Sequence, residues 1–415
     1  MKSRPTPPPP AADLAAGKRF RNLLPGDPAP WFRQRSATNP NFIFDTVAGR
    51  YVLLAFLGST HEPTGLEAAK ALLHLKDVFS AGRIAAFAVS SDPRDELEKR
   101  LVAEPPAFNV FWDFNLQVAR LYGAASETEE NPSAPVYRPI WFILDPSLRV
   151  LAALQPPTTP EAAAEIRKAI ENLPPPELHS GGPMHAPVLI IPRVFEPELC
   201  EGLIEFYRRK GGEESGFMRD VDGKTTLILD PSHKRRRDVQ LEDSPLMKVA
   251  RERVRRRIAP EIKKAFNFDV TRIERDIVAC YTAEEQGHFR AHRDNTTKGT
   301  AHRRFAVTIN LNDDFEGGTL SFPEYGKAQY KPATGGAVVF GCSLLHQVAP
   351  MTRGERYAYL PFLYDDAAAK VREANNAFLD EKVGEYRGDE DKAAKAKAAA
   401  KKAKAPSLED DKPII

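Results

Sequence analysis

The stretch "GHFRAHRDN", residues 287–295, holds the one place in the chain where a histidine is followed two residues later by an aspartate. Alternate side chains of an extended strand leave from the same face, so His292 and Asp294 could both reach one ion. Joined by a second neutral imidazole, they would form the two-histidine, one-carboxylate facial triad that leaves three coordination positions open on non-haem Fe(II). Nine histidines and 25 aspartates in 415 residues give such a triplet by chance about as often as not, so support has to come from elsewhere. His346, in "FGCSLLHQVAP", follows the apolar run "GAVVFG" and precedes another β-rich piece, which makes it the natural third donor. Ten residues further, Arg356 in "TRGERYAYL" opens the adjoining strand after a turn at Gly354. A guanidinium fork there could hold a carboxylate through two parallel hydrogen bonds.

These residues sit in text that resembles a known family. The pattern Y-x5-G-H-F-x2-H-x-D from Tyr281, then "FAVTINLNDDFEGGTLSFPEYG" and "KPATGGAVVFGCSLLHQVAPMTRGERYAYLPF", is similar to the prolyl 4-hydroxylase-like branch of the Fe(II)- and 2-oxoglutarate-dependent dioxygenases. The resemblance covers about residues 185–365 and is strongest from Tyr281 onward. It implies a double-stranded β-helix, a jelly-roll barrel, with helices packed outside. It also implies His292, Asp294 and His346 as iron ligands, Arg356 as the partner of the distal carboxylate of 2-oxoglutarate, and Tyr281 as a hydrogen-bonding group at that same end. Fe(II), 2-oxoglutarate and O2 follow as cofactor and cosubstrates, with ascorbate admitted as an accessory. The implied reaction hydroxylates a C–H bond and releases succinate and CO2. Its target is a prolyl residue of a peptide or protein, or else a free amino acid or small metabolite.

Departures from the family narrow these expectations. Collagen-type members usually place Lys where Arg356 stands, which weakens any inference toward collagen-like substrates. Because Asp294 is present, no ligand position is vacated for chloride, and halogenation is disfavoured. Members that demethylate nucleobases carry a second Arg six residues after the first, and here that position is Phe362. A reading of a different class is a non-catalytic binding or scaffold protein with a vestigial metal site. The intact set of His292, Asp294, His346 and Arg356 stands against it.

The elements that must position these residues are legible in outline. From Ile273 to Tyr364 the chain consists of short β-rich pieces separated by Gly, Asn and Asp, the spacing of an antiparallel sandwich or barrel. Ahead of them, "EPELCEGLIEFYRRK" and "DSPLMKVARERVRRRIAPEIKKAF" read as helices, the second with an Asp/Ser start signal. Residues 212–240 form a polar, Gly-containing stretch that is a candidate lid, or else a surface hairpin. The glycines of "GGTLSF" serve a turn or bulge. His288 and His302 read as exposed or structural, and Cys342 as a small buried thiol. The runs "HKRRRD", residues 233–238, and "RERVRRRI" could line a nucleic-acid groove, although such runs more often form a solvated helix face.

The front of the chain follows another pattern. "RYVLLAFLG" and "RIAAFAVSS" are short apolar runs, "GLEAAKALLHLKDVFS" between them has helical spacing, "RPIWFILD" and "LRVLAAL" read as a strand pair, and "PEAAAEIRKAIENL" as a closing helix. Strands alternating with helices indicate an α/β sheet. "PGDPAPWF", residues 25–32, together with "YVLLAFLG", "FAVSSDP", "FWDFNLQVARLYGA" and "RPIWFILDPSLRV", resembles the peroxiredoxins of the thioredoxin fold over about residues 25–172. In active peroxiredoxins the first of those strands leads to a loop bearing the peroxidatic cysteine. Here the loop is "STHEPTG", and Thr60, Thr64 and Gly65 offer no thiolate. Arg138 stands near the family's thiolate-stabilising Arg but cannot reduce a peroxide alone. This half therefore reads as a degenerate redoxin used for docking, substrate presentation or homodimerisation.

The expected organisation is an α+β multidomain chain: a Pro-rich lead over 1–24, a peroxiredoxin-like domain over 25–175, a linker over 176–184, the dioxygenase domain over 185–366 and a Lys/Ala-rich tail over 367–415. Hydrophobic residues at 42% and charged residues at 28% suit a globular protein. Lys plus Arg (59) nearly balance Asp plus Glu (57), so no global charge calls for nucleic acid or an anionic membrane. The N-terminal text, broken by prolines, contains no apolar stretch of signal-peptide or membrane-spanning length, and a cytoplasmic location is expected. Three cysteines, Cys200, Cys280 and Cys342, without CxxC spacing, suit a reducing compartment.

Overall fold

The computed structural model describes residues 20–127, 135–241, 244–381 and 383. Most of the Pro-rich lead and the Lys/Ala-rich part of the tail lie outside the described residues. The chain divides after Ala186 into two compact units, the short segment Phe322–Ala328 grouping with the first.

In the first unit the strand Tyr51–Gly58 is buried at every position, as a continuous apolar run must be when both faces of a sheet are covered. It pairs in parallel with Ile84–Ser90, which pairs in parallel with Phe108–Trp112. On its other side it runs antiparallel to Ile140–Leu144, itself antiparallel to Val150–Leu154. Helices Pro63–His74 and Pro160–Glu171 add Ala68, Leu72 and Ile170 to the core beside Leu53, Ala55 and Trp141. The closing helix starts where Thr159 accepts a hydrogen bond from the Ala162 amide at 3.2 Å, ahead of a proline at the first helical position. The result is the thioredoxin-like α/β arrangement expected for this half.

The second unit is built on two antiparallel sheets. The larger runs, in spatial order, through Arg272–Glu274, Phe362–Tyr364, Phe305–Asn310, Glu355–Tyr359, Ile277–Thr282, Arg237–Gln240 and Glu213–Glu214. Ala337–Gly341 also pairs with Phe305–Asn310 and carries Val188–Ile191 on its other side. The smaller runs Lys234–Arg235, His288–His292, His346–Val348, Leu320–Ser321 and Gln329–Tyr330. Alternation along the strands decides what each face does. Val278, Cys280, Val307, Ile309, Tyr357 and Tyr359 form one apolar core with Leu199, Leu203 and Phe206 of helix Pro197–Lys210 and with Val254, Ile258 and Ile262. The intervening Tyr281, Thr308 and Arg356 line a cavity instead. The jelly roll with flanking helices is thus the architecture of this half.

The text "DSPLMKVARERVRRRIAPEIKKAF" forms two helices, Pro245–Arg257 and Ala259–Phe266. Ser244 caps the first by accepting from the Met247 amide at 3.2 Å. Pro260 supplies no N–H and its ring clashes with the carbonyl four residues back, so the helix breaks at Ile258, which ends one segment and opens the next. Among the described residues no helix is long and apolar enough to cross a membrane.

Candidate metal centre

His292 ends the strand His288–His292, His346 begins His346–Val348, and the two are register partners across the ladder. Asp294, two residues past His292, is held by its backbone N–H, which donates to the Cys342 carbonyl at 2.9 Å. The ligating atoms of His292, Asp294 and His346 lie within 4.8 Å of one another, with His292 Nε2 at 3.5 Å and His346 Nε2 at 3.4 Å from the two Asp294 oxygens. Each imidazole is oriented by its own strand: Nδ1 of His292 donates to the Arg290 carbonyl at 2.7 Å and Nδ1 of His346 to the Leu344 carbonyl at 2.9 Å. A carbonyl can only accept, so these bonds put the proton on Nδ1 and aim the Nε2 lone pairs inward, the tautomer a metal ligand needs.

The surroundings set the charge of the group. Phe289 stacks on His292 at 3.5 Å between ring centroids and Phe340 meets His346 edge-on at 4.6 Å. Burial, with the charge of His346 behind it, pushes His292 down to about 4 against the pull of Asp294. Burial works to raise Asp294, yet the two imidazoles and Arg303 outweigh it and hold the carboxyl far below its ordinary range. A neutral imidazole beside an ionised carboxylate is the protonation state that coordination requires.

Arg356 lies on the floor of the same cavity, 3% exposed. Its Nε donates to Asn310 Oδ1 at 3.2 Å, Nη1 to the Gly318 carbonyl at 2.8 Å and Nη2 to Thr308 Oγ1 at 2.9 Å. All three acceptors are neutral, so a buried cation stands without a carboxylate among the described residues, a state that costs several kcal/mol in real proteins unless an anion joins it. This orphaned charge is what a 2-oxoglutarate carboxylate would fit, and the two-histidine, one-carboxylate donor set suits Fe(II). Tyr281, 2% exposed, is the register partner of Arg356, whose guanidinium carbon lies 5.5 Å from its ring centroid. Gly354 has φ +74°, the turn conformation before that strand. Gly318, at φ +58°, leaves space that a Cβ would fill 2.3 Å from Met351 Sδ and 3.3 Å from Arg356 Cδ.

Residues 277–364 match the 2OG-Fe(II) oxygenase superfamily, and residues 25–153 the AhpC/TSA family. The C-terminal unit carries a 2OG-Fe(II) oxygenase domain, and the N-terminal unit a thioredoxin-like one. Similar curated proteins include a PKHD-type hydroxylase of Stutzerimonas stutzeri, 29% identical over 33% of this chain and 64% of its own length. Another, from Pseudomonas putida, is 37% identical over 20% of this chain and 39% of its own. The chain thus spans between about two fifths and two thirds of these relatives. A solved Pseudomonas putida prolyl-4-hydroxylase aligns with 16% identity over 45% of this chain and 95% of its own, at a TM-score of 0.33.

The oxygenase domain also brings in residues that the motifs did not indicate. "HKRRRD" is strand rather than helix, and its residues alternate: Lys234 and Arg236 are 3% and 4% exposed while Arg235 and Arg237 face solvent. Arg236 lines the cavity and is answered by Asp238, with Nε to Oδ1 at 2.7 Å and Nη2 to Oδ2 at 2.6 Å, and its Nη1 lies 3.4 Å from Tyr281 Oη. The uniformly basic text of that run carried no signal for this alternation, which only burial reveals. Arg275, also on the cavity wall, had none, because it stands alone between two strands. "RERVRRRI" is helical, and Arg251 pairs with Asp276 while Arg253 and Arg257 pair with Glu196.

Of the other residues singled out, His302 is buried against Glu274, and His288 Nδ1 donates to the Gln286 carbonyl at 2.8 Å. Cys342 is a fully buried free thiol. The candidate lid contains the hairpin Phe217–Val221 and Lys224–Ile228, turning through Asp222 and Gly223 with positive φ. It is fastened to the domain: Thr225 Oγ1 accepts from the Gly299 amide at 2.9 Å and the Thr225 carbonyl from the Asp380 amide at 3.0 Å. In the thioredoxin-like unit, Thr60 is buried beside Asp95, and Arg138 donates to the Gly123 carbonyl at 2.7 Å and stacks on Phe20.

Proposed function

We propose that the chain is an Fe(II)- and 2-oxoglutarate-dependent dioxygenase that hydroxylates a C–H bond, with peptidyl proline as the favoured target and a free amino acid or small metabolite as the alternative. The observation that carries this reading is the convergence of His292, Asp294 and His346 in one cavity with Arg356, a buried cation lacking a counter-ion among the described residues. His292, Asp294 and His346 would hold the metal, and Arg356 with Tyr281 the far carboxylate of 2-oxoglutarate. Bound there, iron, 2-oxoglutarate and O2 would supply the oxidising power for a C–H bond, with succinate and CO2 as coproducts. The protein's part is to fix the imidazole tautomers, to exclude water with Phe289, Phe340 and Val348, and to hold cosubstrate and target in register. Ascorbate would act as an accessory reductant. The thioredoxin-like unit would serve docking, substrate presentation or homodimerisation in a cytoplasmic protein.

Anaerobic titration of the native chain with Fe(II) and 2-oxoglutarate tests the reading. The visible iron–cosubstrate chelate band is expected, along with its loss in His292→Ala and succinate formation on addition of O2. A native chain that gives no band, or turnover indifferent to iron or 2-oxoglutarate, sinks the proposal in favour of a binding protein with a vestigial site.

A further inference from the structure

Arg236 and Arg275 line the cavity of the oxygenase domain beside Arg356, Arg303 lies against Asp294 and Phe362 of its wall, and the three differ in what answers their charge. Arg236 is paired with Asp238. Arg303 is paired with Glu274, Nη2 to Oε1 at 2.8 Å, and its Nη1 reaches the Asp294 carbonyl at 3.4 Å. Arg275 has no ion pair among the described residues: its Nε donates to the Leu360 carbonyl at 3.4 Å, and its guanidinium lies 4.5 Å from the centroid of the Phe362 ring, which Arg303 also approaches, at 4.0 Å. Its backbone sits at φ +66°, a conformation that L side chains rarely adopt, and that departure from the strand path puts its side chain on the cavity wall.

The two unanswered arginines lie at opposite ends of one strand pair. Tyr281 faces Arg356 at one end of the ladder between Ile277–Thr282 and Glu355–Tyr359, while Arg275 precedes the first strand and binds the Leu360 carbonyl just past the second. Phe362 lies six positions past Arg356, roughly 20 Å in extended form. A cosubstrate anchored at Arg356 and reaching the metal therefore leaves Arg275 on the side open to the target. The charges agree. A divalent metal with Arg356 is balanced by Asp294 and a dianionic 2-oxoglutarate, so Arg275 remains as an uncancelled positive charge in the loaded cavity.

We propose that Arg275 is a specificity-determining residue that binds a carboxylate of the substrate at the end of the cavity opposite Arg356. Its unengaged Nη groups offer the planar fork that two carboxylate oxygens match. Phe362 holds the guanidinium from the ring side, where the π face favours a cation, without neutralising it. The inference rests on the oxygenase reading and specifies the target: an acidic residue of a peptide beside the hydroxylated position, or the α-carboxylate of a free amino acid.

The test uses the full chain, anaerobic, with Fe(II) and 2-oxoglutarate bound. Affinities are measured by calorimetry for otherwise identical proline peptides carrying Glu, Gln or Lys next to the central Pro, and for free L-proline. A carboxylate probe is expected to bind about tenfold or more tightly than the Gln peptide, as a charge-assisted hydrogen bond implies. Arg275→Gln should abolish that preference, Arg275→Lys retain part of it, and Arg275→Glu turn it toward the Lys peptide. An unchanged 2-oxoglutarate affinity in each variant shows that it has folded. Preference for the Glu peptide assigns the carboxylate to a peptide side chain, and Arg275-dependent binding of L-proline alone assigns it to a free amino acid. Equal affinities, no binding by any probe, or a preference that survives Arg275→Gln overturn the inference while the chelate band stands. A native chain without the band overturns the oxygenase reading and this inference together.

Discussion

Arg356 is the residue on which the chemistry of the cavity turns, because its charge is buried and its hydrogen-bond acceptors among the described residues are an amide oxygen, a backbone carbonyl and a hydroxyl, all neutral. Burial works to lower its proton affinity, opposed by Tyr281, and an arriving carboxylate relieves the same unfavourable state. Arg356→Gln should therefore weaken 2-oxoglutarate by about 2–4 kcal/mol, roughly 30- to 1000-fold, because up to two charge-assisted hydrogen bonds are lost. Metal binding should persist, since none of His292, Asp294 and His346 depends on the guanidinium. Titration of the chelate band with 2-oxoglutarate, beside a direct Fe(II) titration, checks both halves. A cosubstrate affinity that survives the substitution would remove Arg356 from the site. His292, His346 and Arg356 were legible because each sits at the end or start of a strand that the text marks, whereas Asp294 lies in the turn just past His292 and joins them with its amide tied to the Cys342 carbonyl, not by strand alternation. Arg275 was not legible, since a lone arginine at a positive-φ position between strands leaves no period to read.

At the scale of elements, the sequence indicated the strands and helices well where one period ran uninterrupted, as in "YVLLAFLG" or "PEAAAEIRKAIENL", and less well where two signals overlapped. "HKRRRD" is polar throughout, so its alternation was masked by a charge that every residue up to Arg237 can carry; only burial separates Lys234 and Arg236 from Arg235 and Arg237. In "VRRRIAPEIKK" the apolar spacing continued past Pro260, and the missing amide decided the break instead. The helices are joined to each other by charge as well as by packing. Glu196, at the N-cap of Pro197–Lys210, accepts from Arg257 Nη2 at 2.5 Å and from Arg253 Nε at 3.0 Å, both on the neighbouring helix. Arg257 above all, with Arg253, holds the Glu196 carboxyl down at about 2. A depressed carboxylate contributes stability above its unfolded value near 4 and loses it as the pH falls toward 2. The carboxylate is about a third exposed, so the contribution belongs to the surface-pair range of about 1 kcal/mol or less. Glu196→Gln should thus melt a few degrees below the native chain at pH 7, with the gap narrower at pH 3. Melting curves at the two pH values decide it, and a gap that is constant or widens in acid would contradict the assignment.

For the whole molecule, one chain joins a thioredoxin-like unit without a cysteine to an oxygenase domain that holds every thiol. The thioredoxin-like unit keeps the sheet and helices of its family but holds Thr60, buried against Asp95, in the loop where a reactive cysteine would act. All three cysteines of the chain lie in the other unit, and all are buried and free of disulfides. Burial pushes Cys200 and Cys280 up to about 12, and Cys342, which also faces the negative charge of Asp294, well above its ordinary value. Only a thiolate attacks a peroxide or an alkylating agent, and these shifts leave almost none at neutral pH. Iodoacetamide should therefore leave the native chain unlabelled at pH 7 while modifying all three positions after unfolding in guanidinium, as read by intact mass. Peroxide consumption with dithiothreitol as reductant should stay at the buffer rate. Iron-dependent succinate formation should be the same before and after treatment, because the buried thiols of the native chain stay unmodified. A single adduct on the native protein, or a peroxidase rate that alkylation abolishes, would overturn the reading of these thiols as inert and place redox chemistry in the oxygenase unit rather than in the redoxin-like one.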